Sequence, residues 1–245
     1  MKEKPYPTKT ALHFFGWLCA CTVSLAQMSC SSTPTLESVL AEVCPPIPSL
    51  VAALKSKTQI TIVAIGSSSI KGVGASAPDK TFPAQLEKML RSYFPDKSVV
   101  VLNKGVNGDR IDQMSQRFES DVLSYNPDLV IWQTGINDAL QNKVPIFISE
   151  LPAALSFLKR KATNLIIMDL QYTGEAQDSS QILVEQTLLN ETSNQSVGVL
   201  PRYKLMQEVV KQDIYPLSRI LYTDNLHLND LGYEILSKCA MNRIL

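Results

Sequence analysis

Histidine is scarce in this chain of 245 residues, which contains only His13 and His227. Charge of either sign is not in excess, because 23 lysine and arginine residues balance 23 aspartate and glutamate residues. Nucleic-acid-binding proteins usually carry clustered basic residues, and the absence of a basic stripe gives no support to a nucleic-acid partner. Internal repeats and low-complexity tracts are also absent. These absences leave a chain of ordinary composition with one globular domain.

Long hydrophobic runs are also missing. The longest, within residues 11–26, is shorter than the ~20 residues that a membrane-spanning helix needs. It follows three lysines and ends in Ser24-Leu25-Ala26, a small-x-small cleavage pattern. We therefore expect residues 1–26 to be a signal peptide and the mature protein to be exported, to the periplasm or beyond the cell, with no transmembrane segment.

Cysteine is limited to five residues, of which Cys19 and Cys21 lie in the predicted leader. Exported proteins tend to pair their thiols, but three cysteines remain, so one is left over. One solution is a disulfide between Cys44 and Cys239, with Cys30 as a lipid-modified N-terminus. In the alternative, simple cleavage at the end of the leader, Cys30 carries no lipid anchor.

Two regions follow the leader. Residues 27–57 are rich in serine, threonine and proline, and are predicted to form an extended lead-in packed on the surface of the domain at 58–245. In that domain strand-like and helix-like segments alternate, which implies a parallel sheet covered by helices on both faces. The predicted strands are 60–65, 98–102, 128–132, 164–168 and 197–200, and the predicted helices are 82–93, 111–122, 151–161 and 231–244.

Ligands of such sheets bind beyond the carboxyl ends of the strands, so the segments after the strands are of interest. The first strand leads into residues 66–74, whose small side chains permit a sharp turn that presents a serine hydroxyl. A phosphate-binding loop is the alternative, but Lys71 precedes Gly72, so the Gly-Lys-Ser/Thr order of such loops is absent.

The segments after the second and third strands contain glycine and asparagine. Residues 103–109 suit a turn whose backbone amides point toward a ligand, or a turn without function. In residues 134–138 the Asn137 side chain could donate its amide to an oxyanion. The alternative is that Asn137 or Asp138 caps a helix.

His227 is the one histidine outside the leader, and Asp224 precedes it by three residues. A serine hydroxyl is a weak nucleophile that needs a neighbouring base, and a third group must orient that base. His227 and Asp224 suit these two roles. A metal site is the rival interpretation, but one histidine without a cysteine cluster makes a poor one, and we expect neither metal nor organic cofactor.

Together these four segments resemble the SGNH/GDSL hydrolase superfamily, whose sequence blocks occur in this order. The resemblance implies that Ser68, within Gly66-Ser67-Ser68, is the nucleophile, and that Asp224 and His227 complete a catalytic triad. It also implies an oxyanion hole made of the backbone amides of Ser68 and Gly108 and the side chain of Asn137. The resemblance covers about residues 59–243, so we expect 58–245 to be the catalytic domain.

Two positions depart from the family pattern: Ser67 replaces the usual aspartate, and Ile136 replaces a common threonine. Neither belongs to the triad or to the oxyanion hole. The Gly-Ser-Ser-Ser start is similar to that of an exported bacterial subgroup. The resemblance implies a three-layer α/β/α domain whose five-stranded parallel sheet has a flavodoxin-like strand order.

The expected activity is hydrolysis of short-chain O-acyl esters, such as acetyl esters of carbohydrate, through an acyl-enzyme. A lipid esterase, a lysophospholipase or a thioesterase is an alternative, and an inactive glycan-binding module is an alternative of another class. Most loops expected near the site are polar or small. Ile136, Tyr172 and Leu226 are the apolar residues predicted to contact the substrate.

Overall fold

The structure is a computed structural model that describes residues 33–162, 164–174 and 178–245. The predicted signal peptide and Cys30, the alternative site of a lipid anchor, lie outside these residues. The strands are β1 (Gln59–Gly66), β2 (Ser98–Gly105), β3 (Leu129–Gln133), β4 (Leu165–Met168) and β5 (Gly198–Leu200). The helices are α1 (Leu36–Val43), α2 (Pro48–Lys55), α3 (Ser68–Lys71), α4 (Phe82–Tyr93), α5 (Ile111–Gln116), α6 (Phe118–Asp121), α7 (Ile136–Leu140), α8 (Val144–Lys161), α9 (Ser179–Asn194), α10 (Arg202–Lys211), α11 (Leu217–Ile220) and α12 (Asp230–Ile244).

All five strands form one parallel sheet in the order β2-β1-β3-β4-β5. This is the flavodoxin-like order predicted from the sequence. Parallel strands are buried on both faces, which explains why β1 and β3 are almost continuously apolar. The predicted strand positions are confirmed, including the short fifth strand.

Helices cover both faces of the sheet and enclose two hydrophobic cores. Along β1, Ile62 and Ala64 face one core, and Val63 and Ile65 face the other. The first core contains residues of α1, α2, α4, α10 and α12, and the second contains residues of α5 to α9. The three-layer α/β/α architecture is therefore confirmed.

The predicted extended lead-in is wrong, because most of 34–55 is helical. Thr35 begins α1 with a capping box to Ser38, and Pro48 occupies the first turn of α2, where a missing N–H costs nothing. The prolines at 45, 46 and 48 therefore separate two helices rather than excluding them. Apolar residues of both helices lie in the first core, so this segment is part of the domain.

A disulfide joins the end of α1 to the last helix. Cys44 and Cys239 are bonded across 195 residues of sequence, which confirms the predicted pairing. Each helix in the described part of the chain is, by itself, too short or too polar to span a bilayer. Helices α1 and α2, bent by 99° at the break between them, meet the length and composition for a span only as a pair.

Several helix boundaries also differ from expectation. The predicted helix over 111–122 is divided into α5 and α6 at Arg117, whose backbone leaves the helical region. Helix α8 begins seven residues before the predicted 151 and contains Pro152. Helices α9 and α10 were not predicted, and α9 begins inside a stretch expected to be a polar loop.

Strand β2 lies at one edge of the sheet, and α4 packs beside it. Glu87 Oε2 accepts a hydrogen bond from the Val101 N–H at 2.7 Å, and Arg91 Nε donates to the Val99 carbonyl at 2.8 Å. The same two side chains form an ion pair at 2.9 Å. Two backbone groups of the edge strand are therefore satisfied by side chains of α4.

Candidate active site

The nucleophile candidate lies where β1 passes into α3. Ser68 is the first residue of this four-residue helix and is half-buried. The end of β2 presses directly against α3, because a Cβ at Gly105 would lie 2.0 Å from the Lys71 backbone nitrogen. Only glycine allows this approach, so Gly105 fixes the position of the helix that carries Ser68.

The loop that carries the other two triad candidates is a small hairpin. Leu221 and Leu228 form an antiparallel bridge, and both side chains are buried in the first core. The next pair outward is Tyr222 and His227, where the Tyr222 N–H donates to the His227 carbonyl at 2.8 Å. Cross-strand alternation therefore turns His227 away from the core and toward the carboxyl edge of the sheet.

Asp224 lies in the turn of this hairpin and makes three hydrogen bonds, all with residues two or three positions after it. Its Oδ1 accepts the backbone N–H groups of Leu226 and His227 at 3.0 and 2.9 Å. Its Oδ2 lies 2.6 Å from His227 Nδ1. Burial acts to raise the pKa of Asp224, but hydrogen bonds from the ring and backbone of His227 and from the Leu226 N–H outweigh it and lower the pKa.

His227 connects Asp224 to Ser68. An ionised carboxylate can only accept hydrogen bonds, so His227 Nδ1 carries the proton that faces Asp224. The opposite ring nitrogen, Nε2, then accepts from the Ser68 hydroxyl, whose oxygen lies 2.7 Å away. The structure thus brings the three predicted triad residues into one chain of hydrogen bonds.

Helix α7 holds the loop that contains Gly108. Asn137 Nδ2 donates to the Asp109 carbonyl at 2.9 Å, and Gln141 Nε2 donates to the Gly108 carbonyl at 3.1 Å. Gln141 Oε1 accepts from Arg110 Nη1 at 2.8 Å. Of the predicted oxyanion groups, Asn137 and the Gly108 loop are therefore in contact, and one N–H of the Asn137 amide is engaged by that loop.

Arg117 links the ends of the first two strands to the same loop. Its Nη2 donates to the Gly66 carbonyl at 3.0 Å and its Nη1 to the Lys104 carbonyl at 2.8 Å. Its Nε pairs with Asp109 at 2.9 Å and its Nη1 with Asp121 at 2.9 Å. One guanidinium thus joins the strand before Ser68 to the residue after Gly108.

Asp138 is a fully buried carboxyl beside these residues. Burial raises its pKa to about 7, although the Ile111 N–H, 3.3 Å from both carboxyl oxygens, opposes this shift. The contact joins α7 to the start of α5. Asp138 is thus a structural tie between the two elements that flank Gly108.

A second buried ionic group follows β4. Arg202 donates through Nε and Nη2 to the Asp169 carbonyl at 3.0 and 2.6 Å, and Asp169 Oδ1 accepts the Tyr203 N–H at 2.9 Å. Burial, followed by the charge of Glu185, raises the pKa of Asp169. These contacts hold the segment after β4 against the start of α10, in the interior of the protein.

The predicted substrate contacts are wrong at two of three positions. The Ile136 side chain is 3% exposed and lies in the second core. Tyr172 is 6% exposed and packs edge-to-face on Tyr203, with ring centroids 5.4 Å apart, because the segment after β4 turns inward. Leu226 is half-buried beside His227 and remains a predicted contact.

The space beside Gly108 is open. Nothing lies within 4 Å of the position that a Cβ on Gly108 would occupy. A large groove of about 1110 Å³ lies along α4 and the 71–81 segment, but it is not lined by Ser68, Asp224 or His227. Within the described residues there is no group of three or more histidine, cysteine, aspartate or glutamate side chains that could hold a metal ion.

Sequence reasoning did not find the residues that hold the site together. Arg117 and Gln141 donate to backbone carbonyls. Gln133 Oε1 accepts from the N–H and hydroxyl of Ser67 in the turn before Ser68. Such contacts leave no residue-type pattern in the sequence. Tyr222, two residues before Asp224, is joined to His227 by a hairpin that the sequence pattern does not predict.

The fold is a three-layer α/β/α sandwich, and a serine, a histidine and an aspartate lie in series at the carboxyl edge of its sheet. This fold and site are of the hydrolase type. Comparison with known proteins places the chain further. A model described as the non-GDSL lipase-like family matches residues 33–231. The chain belongs to this family, within the SGNH/GDSL-like hydrolase superfamily.

Similar proteins are esterases by name. An acetylxylan esterase from Geobacillus stearothermophilus is 26% identical over 181 residues, which cover 66% of this chain and 80% of that protein. An arylesterase from Vibrio mimicus is 28% identical over 94 residues, 38% of this chain and 46% of the relative. These relatives and the family identify the chain as an esterase.

Solved structures show the same fold. The crystal structure of the acetylxylan esterase from Geobacillus stearothermophilus superposes with a TM-score of 0.63 at 21% identity, covering 76% of this chain and 94% of the other. A lipase/acylhydrolase from Enterococcus faecalis gives a TM-score of 0.62 at 22% identity, with 74% and 93% coverage.

Proposed function

We propose that this protein is a serine esterase that removes short acyl groups, acetyl above all, from an O-acylated carbohydrate. The observation that carries the proposal is the chain of two hydrogen bonds from Ser68 Oγ through His227 to Asp224, at 2.7 and 2.6 Å. This arrangement supports the proposal, because nucleophilic catalysis by serine requires a hydroxyl, a base and an orienting carboxylate in series.

In the proposed reaction Ser68 Oγ attacks the ester carbonyl carbon while its proton passes to His227 Nε2. The tetrahedral intermediate collapses when the bond to the sugar oxygen breaks, and the proton on Nε2 goes to the departing alcohol. Water then attacks the acyl-serine and gives its proton to Nε2, and the proton returns to Ser68 as the carboxylic acid leaves. Asp224 holds the tautomer and stabilises the imidazolium between the two transfers.

The oxyanion of both intermediates is proposed to bind the backbone amides of Ser68 and Gly108 and the side-chain amide of Asn137. The contact between Asn137 and the Asp109 carbonyl supports this assignment, because it holds the Asn137 amide against the Gly108 loop. Fixed donors need no reorganisation as charge develops, which makes such sites effective.

The substrate class rests on two supports. The relatives named above act, by their names, on acetylxylan and on aryl esters. The segment 144–155, an apolar stretch that could have formed an acyl groove, buries Val144, Phe147 and Leu151 in the second core instead. A long acyl chain gains ~0.8 kcal/mol for each buried methylene, and these side chains are not available to it.

Export is proposed from the leader-like residues 1–26, and the disulfide is compatible with it because such bonds persist in oxidising compartments. Cleavage after Ala26 is the favoured form of this proposal, and a lipid anchor at Cys30 is its alternative. Mass spectrometry of the protein from its native membrane and soluble fractions would test both, since an acylated Cys30 adds the mass of the lipid chains.

Hydrolysis of p-nitrophenyl esters from C2 to C12 tests the function. We expect kcat/KM to fall steeply beyond about four carbons, and Ser68→Ala to lose several powers of ten in kcat. Ser69→Ala is the matched control, because it removes a neighbouring hydroxyl outside the hydrogen-bonded chain. Values that rise toward C12 would indicate a lipid esterase instead. Failure of the wild type to react with a fluorophosphonate serine probe would favour the binding module.

A further inference from the structure

Tyr222 is an exposed aromatic residue directly beside the triad. Its side chain is 45% exposed, although large apolar side chains usually lie in the core. The surrounding hairpin buries Leu221 and Leu228, the neighbours of Tyr222 and His227, in the first core. The hairpin therefore has an inner face of two leucines and an outer face that contains Tyr222 and His227.

The pairing of Tyr222 with His227 fixes their separation. Tyr222 donates one backbone hydrogen bond to His227 across the hairpin, next to the Leu221–Leu228 bridge, and residues opposite each other on antiparallel segments have side chains on one face with Cβ atoms about 5 Å apart. A Cβ built on Gly74 would lie 3.0 Å from Tyr222 Cβ and 3.3 Å from His227 Cβ, so the two side chains start from the same side of the hairpin. Tyr222 thus lies within about one sugar-ring width of the imidazole that contacts Ser68.

The residues next to Tyr222 are polar. Thr223, Asp224 and Asn225 follow it and are exposed, so the aromatic face is bordered by hydrogen-bonding groups. An acyl tail would need a continuous apolar surface, which this border interrupts. A pyranose ring presents an apolar C–H face and hydroxyls at its rim, and matches an aromatic face bordered by polar groups.

We propose that Tyr222 is the platform on which the sugar ring of the ester substrate rests, so that the substrate class is an acylated pyranoside. The inference rests on the proposed function. The ring that carries the ester packs on Tyr222 while its acyl group reaches Ser68, over the open side of Gly108. Tyr222 is thus a substrate-binding and specificity-determining residue, and takes no part in proton transfer.

Two substrates distinguish recognition of the sugar ring from recognition of the acyl group. Methyl tri-O-acetyl-xylopyranoside and triacetin each carry three acetyl esters, but only the first has a sugar ring. For Tyr222→Ala we expect kcat/KM to fall at least tenfold more on the pyranoside than on triacetin, mainly through KM. Tyr222→Phe should restore the pyranoside rate to within about threefold, and Tyr222→Leu should not. Tyr93→Ala, at an exposed aromatic on α4, should change neither rate.

Equal losses on both substrates, or none, would overturn the platform while leaving the esterase assignment intact. Hydrolysis of neither substrate by the wild type would instead overturn the proposed function. A binding measurement then tests the role of Tyr222 separately. In saturation-transfer NMR the pyranoside should give a binding signal with the Ser68→Ala variant. The signal should be lost when Tyr222→Ala is added, and an unchanged signal would refute the role of Tyr222.

Discussion

Gly66 and Gln133 approach so closely that a Cβ on Gly66 would lie 2.7 Å from Gln133 Oε1. The amide of Gln133 packs against the turn that leads to Ser68. Its Oε1 accepts two hydrogen bonds from Ser67, from the backbone N–H at 2.8 Å and from the hydroxyl at 2.9 Å. A short hydroxyl at position 67 therefore suits a glutamine at 133, and the pair fixes the turn before the nucleophile.

Replacing Gln133 with methionine should loosen this turn. The similar shape keeps the core filled, but the buried N–H and hydroxyl of Ser67 lose their acceptor, at a cost of about 1–3 kcal/mol each. We expect a lower urea midpoint and a lower kcat on p-nitrophenyl acetate. Ser67→Ala, which removes one donor only, should cost less. A Gln133→Met variant with wild-type stability and rate would show that the pair does not position Ser68.

Asp224→Asn should reduce kcat by about 10⁴-fold with little loss of stability. The asparagine amide can donate to His227 Nδ1 and so favours the tautomer that presents a proton to Ser68. Steady-state rates on p-nitrophenyl acetate measure the effect. Asp230→Asn is the control, because Asp230 binds Ser76 rather than the imidazole. Comparable losses in the two variants would count against a specific role for Asp224.

The triad was predictable because its spacing is local or set by the strand ends. Asp224 and His227 are three residues apart, and one carboxylate can then contact both the backbone and the ring of His227. The strand positions were predictable because each strand is a short apolar run, and the strand order followed from the resemblance to the superfamily. The helical 34–55 segment was not, since its prolines resemble loop residues and its core contacts are tertiary. Ile136 and Tyr172 were misplaced because sequence shows that a residue is apolar, but not which way its segment turns.

Gln141→Ala should impair catalysis without changing substrate affinity. The side chain ties the Gly108 carbonyl to Arg110, and its loss lets the loop that carries the proposed oxyanion donor move. A small displacement of such a donor weakens transition-state binding, and we expect about a tenfold lower kcat with KM nearly unchanged. Gln116→Ala, at an exposed glutamine on α5, should leave both constants unaffected. A rise in KM alone would assign Gln141 to substrate binding.

The disulfide should contribute strongly to stability. Joining residues 195 apart restricts the unfolded chain, and loss of such a bond typically costs about 2–5 kcal/mol. The Cys44→Ala/Cys239→Ala variant should therefore unfold at lower urea concentration than the wild type. Reductant should destabilise the wild type and leave the double variant unchanged. Equal stabilities of the two proteins would show that the α1–α12 connection is held by packing alone.

Asp138 should make stability fall as pH rises. Its folded-state pKa of about 7 exceeds the ordinary value near 3.9, so the folded state holds a proton that the unfolded state releases between about pH 4 and 7. This difference in pKa corresponds to at most about 4 kcal/mol of unfolding free energy. Asp138→Asn keeps an acceptor for the Ile111 N–H and should flatten this decline in urea unfolding at pH 4 to 8. An unchanged slope would show that Asp138 is ionised throughout.

The contacts of Glu87 and Arg91, on α4, with the backbone of β2 have a consequence for association between copies of the protein. An unprotected edge strand offers its N–H and carbonyl groups to a strand of another molecule, which is the first step of β-mediated aggregation. Here α4 occupies those groups at Val99 and Val101, and the opposite edge, β5, is only three residues long. Neither margin of the sheet offers a long free row of backbone groups, so the sheet gives little template for growth into a fibril.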